Sequence, residues 1–402
     1  MEEREGGGFS YKLIPTSFVP HTLRTWIEID RHALRHNVGE FFRFITPDTR
    51  FMAVIKSNAY GHGLVATAQE LVNTKVFARK GWFGVDSIVE ALRLRREGIT
   101  NPILVLGFTL PTRMEDAARE RISISISNFD ALNALSAMNI RPAIHLKLDT
   151  GMHRQGFLDR DRGRLIRFMR KKHIVPEGVF THFASAKDAA YPTYTLAQLA
   201  SFKEYISAIE TAGFSPLIRH AAATGGTLLF PDAHLDMVRI GMGLYGYWPS
   251  EEAKNGKRKT EKLEQEMRIR LKPVLTWKTV IAETKQIPKG SFVGYDLTER
   301  THRATRIAVV PIGYWHGYDR GFSSQGSMLV RGKRAPVLGR ISMDMVVIDV
   351  TDIPITRSGD EVVIIGIQGK EDISAEDLGR MIGTSAYEIL TRINPLIKRI
   401  IV

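Results

Sequence analysis

One lysine stands where the chain could form a covalent bond with a carbonyl compound. Lys56 directly follows the apolar run Met52-Ala53-Val54-Ile55 and precedes a loop bracketed by Gly61 and Gly63. A lysine whose stem is enclosed in apolar surroundings is more easily neutral, and the neutral amine is the form that attacks a carbonyl. Glycines allow a backbone to approach a ligand closely. An ordinary exposed lysine at the end of a strand is the alternative interpretation of Lys56 alone.

A second group of residues has the composition of a phosphate site. Thr224-Gly225-Gly226 supplies a hydroxyl and two glycines, and Gly241 and Gly243 end a later apolar run. Backbone N–H groups in such loops, together with the start of a helix, are typical phosphate ligands in barrel proteins. A phosphate site combined with an enclosed lysine predicts pyridoxal 5'-phosphate as the cofactor.

The elements that would position these residues recur along the first 250 residues. Short apolar runs rich in β-branched residues alternate with segments of helical periodicity, which predicts parallel βαβ units. Eight such strands close a (β/α)8 barrel, so we predict an α/β fold with an N-terminal barrel of TIM type. An open doubly wound sheet is the alternative. The eight predicted strands are residues 51–56, 82–86, 103–107, 122–127, 143–149, 178–183, 217–222 and 237–243.

The pattern changes after about residue 250. A charged connector runs to Lys272, and strand patterns then follow one another without long helices between them. This is typical of a mostly antiparallel β domain, followed by a helix from Ala375 with Ser374 as its N-cap. We predict a barrel domain at 22–252 and a β domain at 262–402, with residues 9–21 as a candidate further strand of the β domain. Its predicted strands are residues 274–282, 307–312, 327–330, 335–338, 345–350 and 361–367.

The composition narrows the class of protein. The 402 residues are 44% hydrophobic and 25% charged, as in an ordinary globular protein, and no apolar run approaches the ~20 residues that span a bilayer. The absence of cysteine excludes disulfides and thiolate metal sites, and it favours a cytoplasmic setting. The net charge of +13 comes from stretches that lack the interleaved aromatic residues of a base-stacking surface. We therefore predict no metal, nucleic-acid or membrane partner.

Several further motifs follow one another along the chain. The first runs from Ala53 to Gly63 and contains Lys56. The others are 145–152 (HLKLDTGM), 181–184 (THFA), 244–246 (LYG), 311–314 (PIGY), 339–344 (GRISMD) and 386–388 (AYE). In these motifs the chain resembles the alanine racemase family from about Trp26 to Ile400, and the segment from Ala53 to Gly63, the most specific of them, resembles the family's cofactor-lysine signature. The resemblance implies a pyridoxal-phosphate enzyme that interconverts L- and D-alanine and supplies D-alanine for peptidoglycan.

The resemblance also implies two acid/base residues on opposite faces of a small amino-acid substrate. One is Lys56, which would also hold the cofactor covalently. The other is Tyr295, which would reach in from the partner subunit of a head-to-tail homodimer. Racemisation removes the α-proton on one face and returns it on the other, and two opposed groups do this more directly than one.

The remaining implied roles concern binding. Arg239 would face the pyridine nitrogen, with His182 ordering it from behind. An arginine there stays protonated, which keeps the ring nitrogen unprotonated and limits side reactions. The phosphate would be held by Tyr60, Thr224, the Gly241 backbone and Tyr387.

The substrate would be held and admitted by further residues. Arg154 and the Met343 backbone would bind its carboxylate, and Tyr314, with Tyr387, would narrow the entrance. Lys147 is a candidate carbamylated lysine that would neutralise charge beside Arg154. The alternatives are ordinary structural roles, with Arg154 in an ion pair with Asp149 and Lys147 in an ion pair of its own.

Two departures from the family pattern bear on specificity. Ala223 replaces an asparagine before Thr224, and Trp315-His316 replaces Ala-Asp beside Tyr314. They leave open a racemase that prefers serine or another small amino acid. A barrel decarboxylase would need a catalytic cysteine and an acidic group at the ring nitrogen, and a pyridoxal-phosphate carrier would lack the β domain.

Overall fold

The structure is a computed structural model that describes residues 22–187, 192–255 and 269–402. The described residues form two compact units. One consists of residues 31–274 and 386–395, and the other of residues 22–30, 275–385 and 396–402. The predicted limits 22–252 and 262–402 remain predictions, and the candidate strand at 9–21 lies outside the described residues.

The strands, numbered in chain order, are β1 (Thr25–Ile29), β2 (Arg50–Val54), β3 (Gly81–Val85), β4 (Ile103–Val105), β5 (Ser123–Ile126), β6 (Ile144–Lys147), β7 (Gly178–Phe180), β8 (Ile218–His220), β9 (Met237–Ile240), β10 (Leu275–Val280), β11 (Glu283–Ile287), β12 (Phe292–Val293), β13 (Glu299–Arg300), β14 (Thr305–Val310), β15 (Ser327–Val330), β16 (Lys333–Pro336), β17 (Val346–Asp349), β18 (Glu361–Gln368), β19 (Glu371–Ile373) and β20 (Lys398–Ile401).

The α-helices are α1 (Arg31–Phe44), α2 (Lys56–Tyr60), α3 (Leu64–Val72), α4 (Lys75–Lys80), α5 (Ile88–Arg96), α6 (Met114–Arg119), α7 (Phe129–Ser136), α8 (Arg162–Lys172), α9 (Thr193–Thr211), α10 (Thr224–Leu229), α11 (Glu251–Asn255), α12 (Ala375–Met381) and α13 (Ala386–Thr391). Among the described residues, none of these helices is long and apolar enough to cross a membrane.

The first unit is a nearly closed parallel barrel. Its eight strands lie in the order β8-β7-β6-β5-β4-β3-β2-β9, so that neighbours in the sheet are also successive in the chain, except for β2 and β9, the first and last strands of the barrel, which pair with each other. A parallel bridge between Ala223 and Arg239 connects the end of β8 to β9. This confirms the predicted (β/α)8 barrel against the doubly wound alternative. The strands β3 to β7 are buried along their whole length, as expected for parallel strands covered on both faces.

Side-chain caps fix where several barrel helices begin. The Ser87 hydroxyl accepts a hydrogen bond from the Glu90 N–H at the start of α5. Asn128 does the same for the Ala131 N–H at the start of α7. These short caps follow directly after β3 and β5, and they end each strand at the edge where the functional side chains emerge.

The second unit is mostly antiparallel, as predicted. Its largest sheet has the order β16-β15-β18-β10-β1-β20, with β19 paired to β18, and only the β1–β20 pair is parallel among the described pairs. A three-stranded sheet, β11-β14-β17, and the β12-β13 pair complete the unit. The helix predicted after Ser374 is α12, and the Ser374 hydroxyl accepts from the Asp377 N–H.

Candidate active site

The loop that follows β2 has an unusual backbone. Lys56 opens α2, and Ser57, Asn58, Ala59 and Tyr60 then adopt left-handed φ angles of 54°, 55°, 54° and 51°. Each such residue costs roughly 1–2 kcal/mol compared with the right-handed conformation. Strain of this kind persists where surrounding contacts enforce it, and it clusters at functional sites.

Glu90 makes some of the contacts that hold this left-handed backbone. Its carboxylate accepts hydrogen bonds from the Asn58 N–H (3.2 Å) and from the Asp86 N–H (2.9 Å). The Lys56 ammonium lies 3.9 Å from the Asp86 carboxylate, and its side chain is 38% exposed in the single chain. The lysine is therefore less enclosed than its apolar context predicts, and its amine remains accessible.

Gly61 brings a distant helix against this loop. It has a φ of +87°, and a Cβ at this position would lie 2.1 Å from the Leu390 carbonyl oxygen. Only glycine permits α13 to come so close. As a result the Tyr60 and Tyr387 rings lie 6.0 Å apart in a T-shaped pair. Burial raises the pKa of both phenols, so that both hydroxyls stay protonated at neutral pH and can donate hydrogen bonds.

The Thr224 hydroxyl accepts hydrogen bonds from two backbone N–H groups. Its hydroxyl accepts from the Gly241 N–H (3.1 Å) and the Gly243 N–H (3.4 Å). A Cβ added to Gly241 would lie 3.0 Å from the Tyr60 hydroxyl, so Tyr60, Thr224 and Gly241 meet at one place. The predicted phosphate ligands of the two separate sequence motifs are thus brought together. Ala223 precedes them and leaves α10 without a side-chain cap.

Arg239 is a buried cation surrounded by neutral acceptors. It is 3% exposed and donates to the carbonyls of Thr181 and Ala221, both at 2.8 Å. It also donates to His220 Nδ1 at 2.9 Å and to His182 Nδ1 at 3.3 Å. Burial lowers the pKa of Arg239 to about 9, so the guanidinium is still charged at neutral pH. Burial and the charge of Arg239 lower the pKa of His182 to about 3, which keeps that imidazole neutral.

Lys147 is the second lysine of the site. Its ammonium donates to the Gln155 side chain at 3.2 Å, and no ion pair joins it to a carboxylate in the described parts of the chain. Burial, assisted by the nearby charges of Arg154 and Arg239, lowers the pKa of Lys147 to about 8. The ion pair considered as the alternative role of Lys147 is therefore not found among the described residues.

Arg154 lies in the loop after β6. The Asp149 carboxylate accepts from the N–H groups of Gly151 and His153, both at 3.0 Å, and so shapes that loop. No ion pair between Arg154 and Asp149 occurs where the chain is described, and Arg154 is exposed. The structural alternative for Arg154 is thus not observed.

Three predicted residues lie in the second unit. Tyr295, Tyr314 and Met343 are 65%, 45% and 54% exposed in the single chain. Tyr295 begins a turn that is fixed by Gly294, whose φ is +77°, and by an ion pair of 3.0 Å between Asp296 and Arg340.

The segment that holds Tyr314 is bound to the segment that holds Met343. The Tyr314 N–H donates to the Ser342 carbonyl at 3.2 Å, and the Trp315 N–H donates to the Met343 carbonyl at 3.1 Å. His316 is buried, and its Nδ1 accepts from the Gly313 N–H at 3.2 Å. The imidazole that departs from the family pattern therefore stabilises the turn itself.

Several residues that the structure places at the site have no role predicted from the sequence. These are Asp86 and Glu90, which hold the lysine loop, and His145, Glu177 and His220, which lie behind Arg239. His145 opens one quoted motif and His220 ends a predicted strand. For these two residues, a histidine within an apolar strand run is the signal that the sequence offers.

Comparison with known proteins decides the family. The family described as alanine racemase, N-terminal domain, matches residues 29–249, and the family described as alanine racemase, C-terminal domain, matches residues 274–401. The chain belongs to the alanine racemase family. The family's reaction, the interconversion of L- and D-alanine, is accordingly the activity of this chain, which is an amino-acid racemase.

Individual relatives agree along nearly the whole chain. The alanine racemase of Leptospira interrogans serogroup Icterohaemorrhagiae serovar Lai is 39% identical and covers 96% of this chain and 98% of its own length. The Bacillus anthracis alanine racemase with bound L-Ala-P is 34% identical with a TM-score of 0.85, covering 94% of this chain and 95% of that one. The Bartonella henselae alanine racemase with covalently bound pyridoxal phosphate is 27% identical with a TM-score of 0.80, covering 94% and 100%.

Proposed function

We propose that this racemase acts with pyridoxal 5'-phosphate bound covalently at Lys56. The observation that carries the proposal is the convergence of the Tyr60 hydroxyl, the Thr224 hydroxyl and the Gly241 N–H beside the lysine loop. Hydroxyl and amide donors of this kind fit a phosphate. Tyr387, next to Tyr60, would add a further hydroxyl. When bound, the cofactor accepts the negative charge that remains after the α-proton of the amino acid is removed.

Arg239 and His182 would bind the opposite end of the cofactor. A guanidinium can only donate hydrogen bonds, so it would donate to the pyridine nitrogen and leave that nitrogen without a proton. The lowered pKa of His182 supports this role, because a neutral imidazole accepts from Arg239 without adding a second positive charge.

The two acid/base groups would be the Lys56 amine and the phenol of Tyr295 of the partner subunit. The high exposure of Tyr295 in the single chain and the fixed turn that carries it support this arrangement. A lysine on one face and a tyrosine on the other can each remove an α-proton and return one. The assembly would be a head-to-tail homodimer whose sites are shared.

Three further residues would bind and admit the substrate. Arg154 and the Met343 backbone would bind the carboxylate of alanine, and Tyr314 would limit the width of the entrance. Lys147 would be carbamylated: its neutral amine adds CO2, a C–N bond forms, and one proton is released. The resulting anion would compensate the charge of Arg154. The pKa of about 8 supports this, since the neutral form is well populated near physiological pH. The enzyme would serve cytoplasmic D-alanine supply for peptidoglycan.

The cofactor linkage can be tested directly. Purified protein is incubated with pyridoxal phosphate, reduced with borohydride, digested and analysed by mass spectrometry. We expect the reduced cofactor on the peptide that contains Lys56, and we expect none in Lys56→Ala. Labelling at another lysine, or a reducible linkage in Lys56→Ala, would refute the assignment.

The shared site can be tested by complementation. Lys56→Ala and Tyr295→Phe subunits are each inactive by the proposal, and they are unfolded together, mixed and refolded. Random pairing makes half of the dimers mixed, and each mixed dimer regains one of its two sites, which predicts about a quarter of wild-type activity. No recovery from correctly folded mixed dimers would show that Tyr295 does not act across subunits.

A further inference from the structure

The barrel interior contains a continuous line of polar side chains that the proposed reaction does not use. Arg239 Nη1 lies 2.9 Å from His220 Nδ1, and His220 Nε2 lies 2.8 Å from His145 Nδ1. His145 Nε2 lies 3.2 Å from the Glu177 carboxylate, which also accepts from the Ser123 hydroxyl at 2.6 Å. Both imidazoles are fully buried. The line therefore connects Arg239 to a carboxylate through two histidines.

The chemistry at each end fixes the direction of the hydrogen bonds. A guanidinium can only donate, so His220 Nδ1 must accept, and a neutral His220 then carries its proton on Nε2. An ionised carboxylate can only accept, so His145 carries its proton on Nε2 and its Nδ1 accepts from His220. The two ends independently require the same arrangement, in which every proton points towards Glu177.

The electrostatics of the barrel interior agree with neutral imidazoles and a charged carboxylate. Burial lowers the pKa of both His145 and His220, and the charge of Arg239 lowers both further. Glu177 acts in the opposite direction on His145, but the pKa of His145 is still lowered. Burial alone would raise the pKa of Glu177, but hydrogen bonds from His145 and Ser123 outweigh it and lower that pKa. One proton on each imidazole is therefore the stable state.

Aromatic neighbours pack against both imidazole rings. The Phe180 ring stacks on His220 at 4.9 Å with an interplanar angle of 7°, and Trp82 contacts His145 edge-on at 5.8 Å. A Cβ on Gly178 would lie 2.6 Å from the His145 ring, so the glycine next to Glu177 makes the space for this imidazole. These contacts hold each ring in position, while either of its nitrogens can carry the proton.

We propose that Glu177 and His145 are positioning residues for Arg239, and that the carboxylate keeps both histidines in the tautomer that accepts from the guanidinium. Without the carboxylate, the opposite tautomer of His145 becomes available. The opposite tautomer of His220 would then place an N–H against an N–H of Arg239, and the guanidinium would move. This inference rests on the proposed role of Arg239 at the cofactor.

The test compares Glu177→Gln with Glu70→Gln in the full-length protein loaded with pyridoxal phosphate. Glu70 is a hydrogen-bonded carboxylate of the same unit, paired to Arg35 at 2.9 Å and outside the histidine line. It is more buried than Glu177, whose side chain is 34% exposed, so it is a stringent control for the loss of a carboxylate. Nitrogen-15 NMR of labelled histidine gives the tautomers of His145 and His220. Cofactor affinity is measured by titration, and kcat and KM for alanine are measured separately.

In the wild type we expect both histidines as the Nε2–H tautomer. In Glu177→Gln we expect altered nitrogen shifts at both rings and cofactor affinity about tenfold weaker, the scale of losing support to a charged ligand group. We expect kcat to fall with KM changed less than about twofold, because Arg239 does not bind the substrate carboxylate. Glu70→Gln should match the wild type in all three measurements.

Two results would overturn the inference. One is an Nδ1–H tautomer at either histidine in the wild type, which needs no variant to fold. The other is a folded Glu177→Gln that differs from the wild type no more than Glu70→Gln does. A wild type that neither binds pyridoxal phosphate nor racemises alanine would instead refute the proposed function, and the wild-type tautomers would still decide the direction of the line.

Discussion

The close approach at Gly61 is a sharp test of how the barrel unit assembles the phosphate site. Gly61→Ala adds a methyl group 2.1 Å from the Leu390 carbonyl oxygen at a φ of +87°. Gly98 has nearly the same φ, +81°, with nothing within 4 Å of its Cβ position. Gly98→Ala therefore carries the backbone penalty alone, and the difference between the two variants isolates the contact with α13.

The magnitudes follow from those two geometries. The left-handed backbone costs an alanine roughly 1–2 kcal/mol at either position. The overlap at Gly61 adds about 1–3 kcal/mol, the usual range for overpacking, because the neighbour is backbone and cannot rotate away. We expect Gly61→Ala to lose about 2–5 kcal/mol of unfolding free energy and Gly98→Ala about 1–2 kcal/mol.

Denaturant unfolding with a common m-value measures the difference, and cofactor titration measures its functional effect. Displacing α13 moves Tyr387 away from Tyr60, so Gly61→Ala should bind pyridoxal phosphate at least tenfold more weakly, while Gly98→Ala should bind it normally. If the two variants were equally stable within about 0.5 kcal/mol and bound the cofactor equally, the argument from close approach would be refuted.

Three further outcomes follow from the site. Thr224→Val removes a hydroxyl at constant shape and should weaken cofactor binding by about tenfold or more, with Thr224→Ser retaining it; equal affinities would contradict the phosphate role. Tyr295→Phe should slow the exchange of the α-proton for solvent deuterium far more with L-alanine than with D-alanine as the substrate. Equal reductions of the two exchange rates would count against opposed bases. Lys147 is predicted to make stability depend on pH. Because its folded pKa is about 8 against 10.5 in a model peptide, the unfolded chain holds an extra proton between those values, and stability rises with pH. In CO2-free buffer the wild type should gain up to about 3 kcal/mol over that interval relative to Lys147→Met, measured by denaturant unfolding; a constant difference would refute the shift.

The barrel could be predicted because most of its strands are buried on both faces. Parallel strands of this kind leave continuous apolar runs, and all eight runs correspond to β2–β9. The elements that were missed lack such a run or depend on distant partners. β11 is largely exposed and polar, and β1 joins the second unit by pairing with β10 and β20 at the far end of the chain.

The sequence predicted which residues form the site but not the backbone conformation that positions them. The motif around Lys56 identified the loop, yet its left-handed turn includes Ala59 and Tyr60, residue types that rarely adopt that conformation. Contacts from Glu90 and α13 impose it. The histidine line could not be predicted from the sequence either, because the contact between His145 and His220 depends on the register of β6, β7 and β8.

The central claim is that this chain racemises alanine with Lys56 and Tyr295 as opposed bases. The most direct measurement incubates the cofactor-loaded protein with L-alanine and, separately, with L-serine in D2O. Chiral chromatography follows the D-isomers and mass spectrometry follows α-deuterium. We predict D-alanine that carries solvent deuterium, formed much faster than D-serine and absent with Lys56→Ala. Faster turnover of serine, or no D-alanine despite cofactor bound at Lys56, would contradict the account.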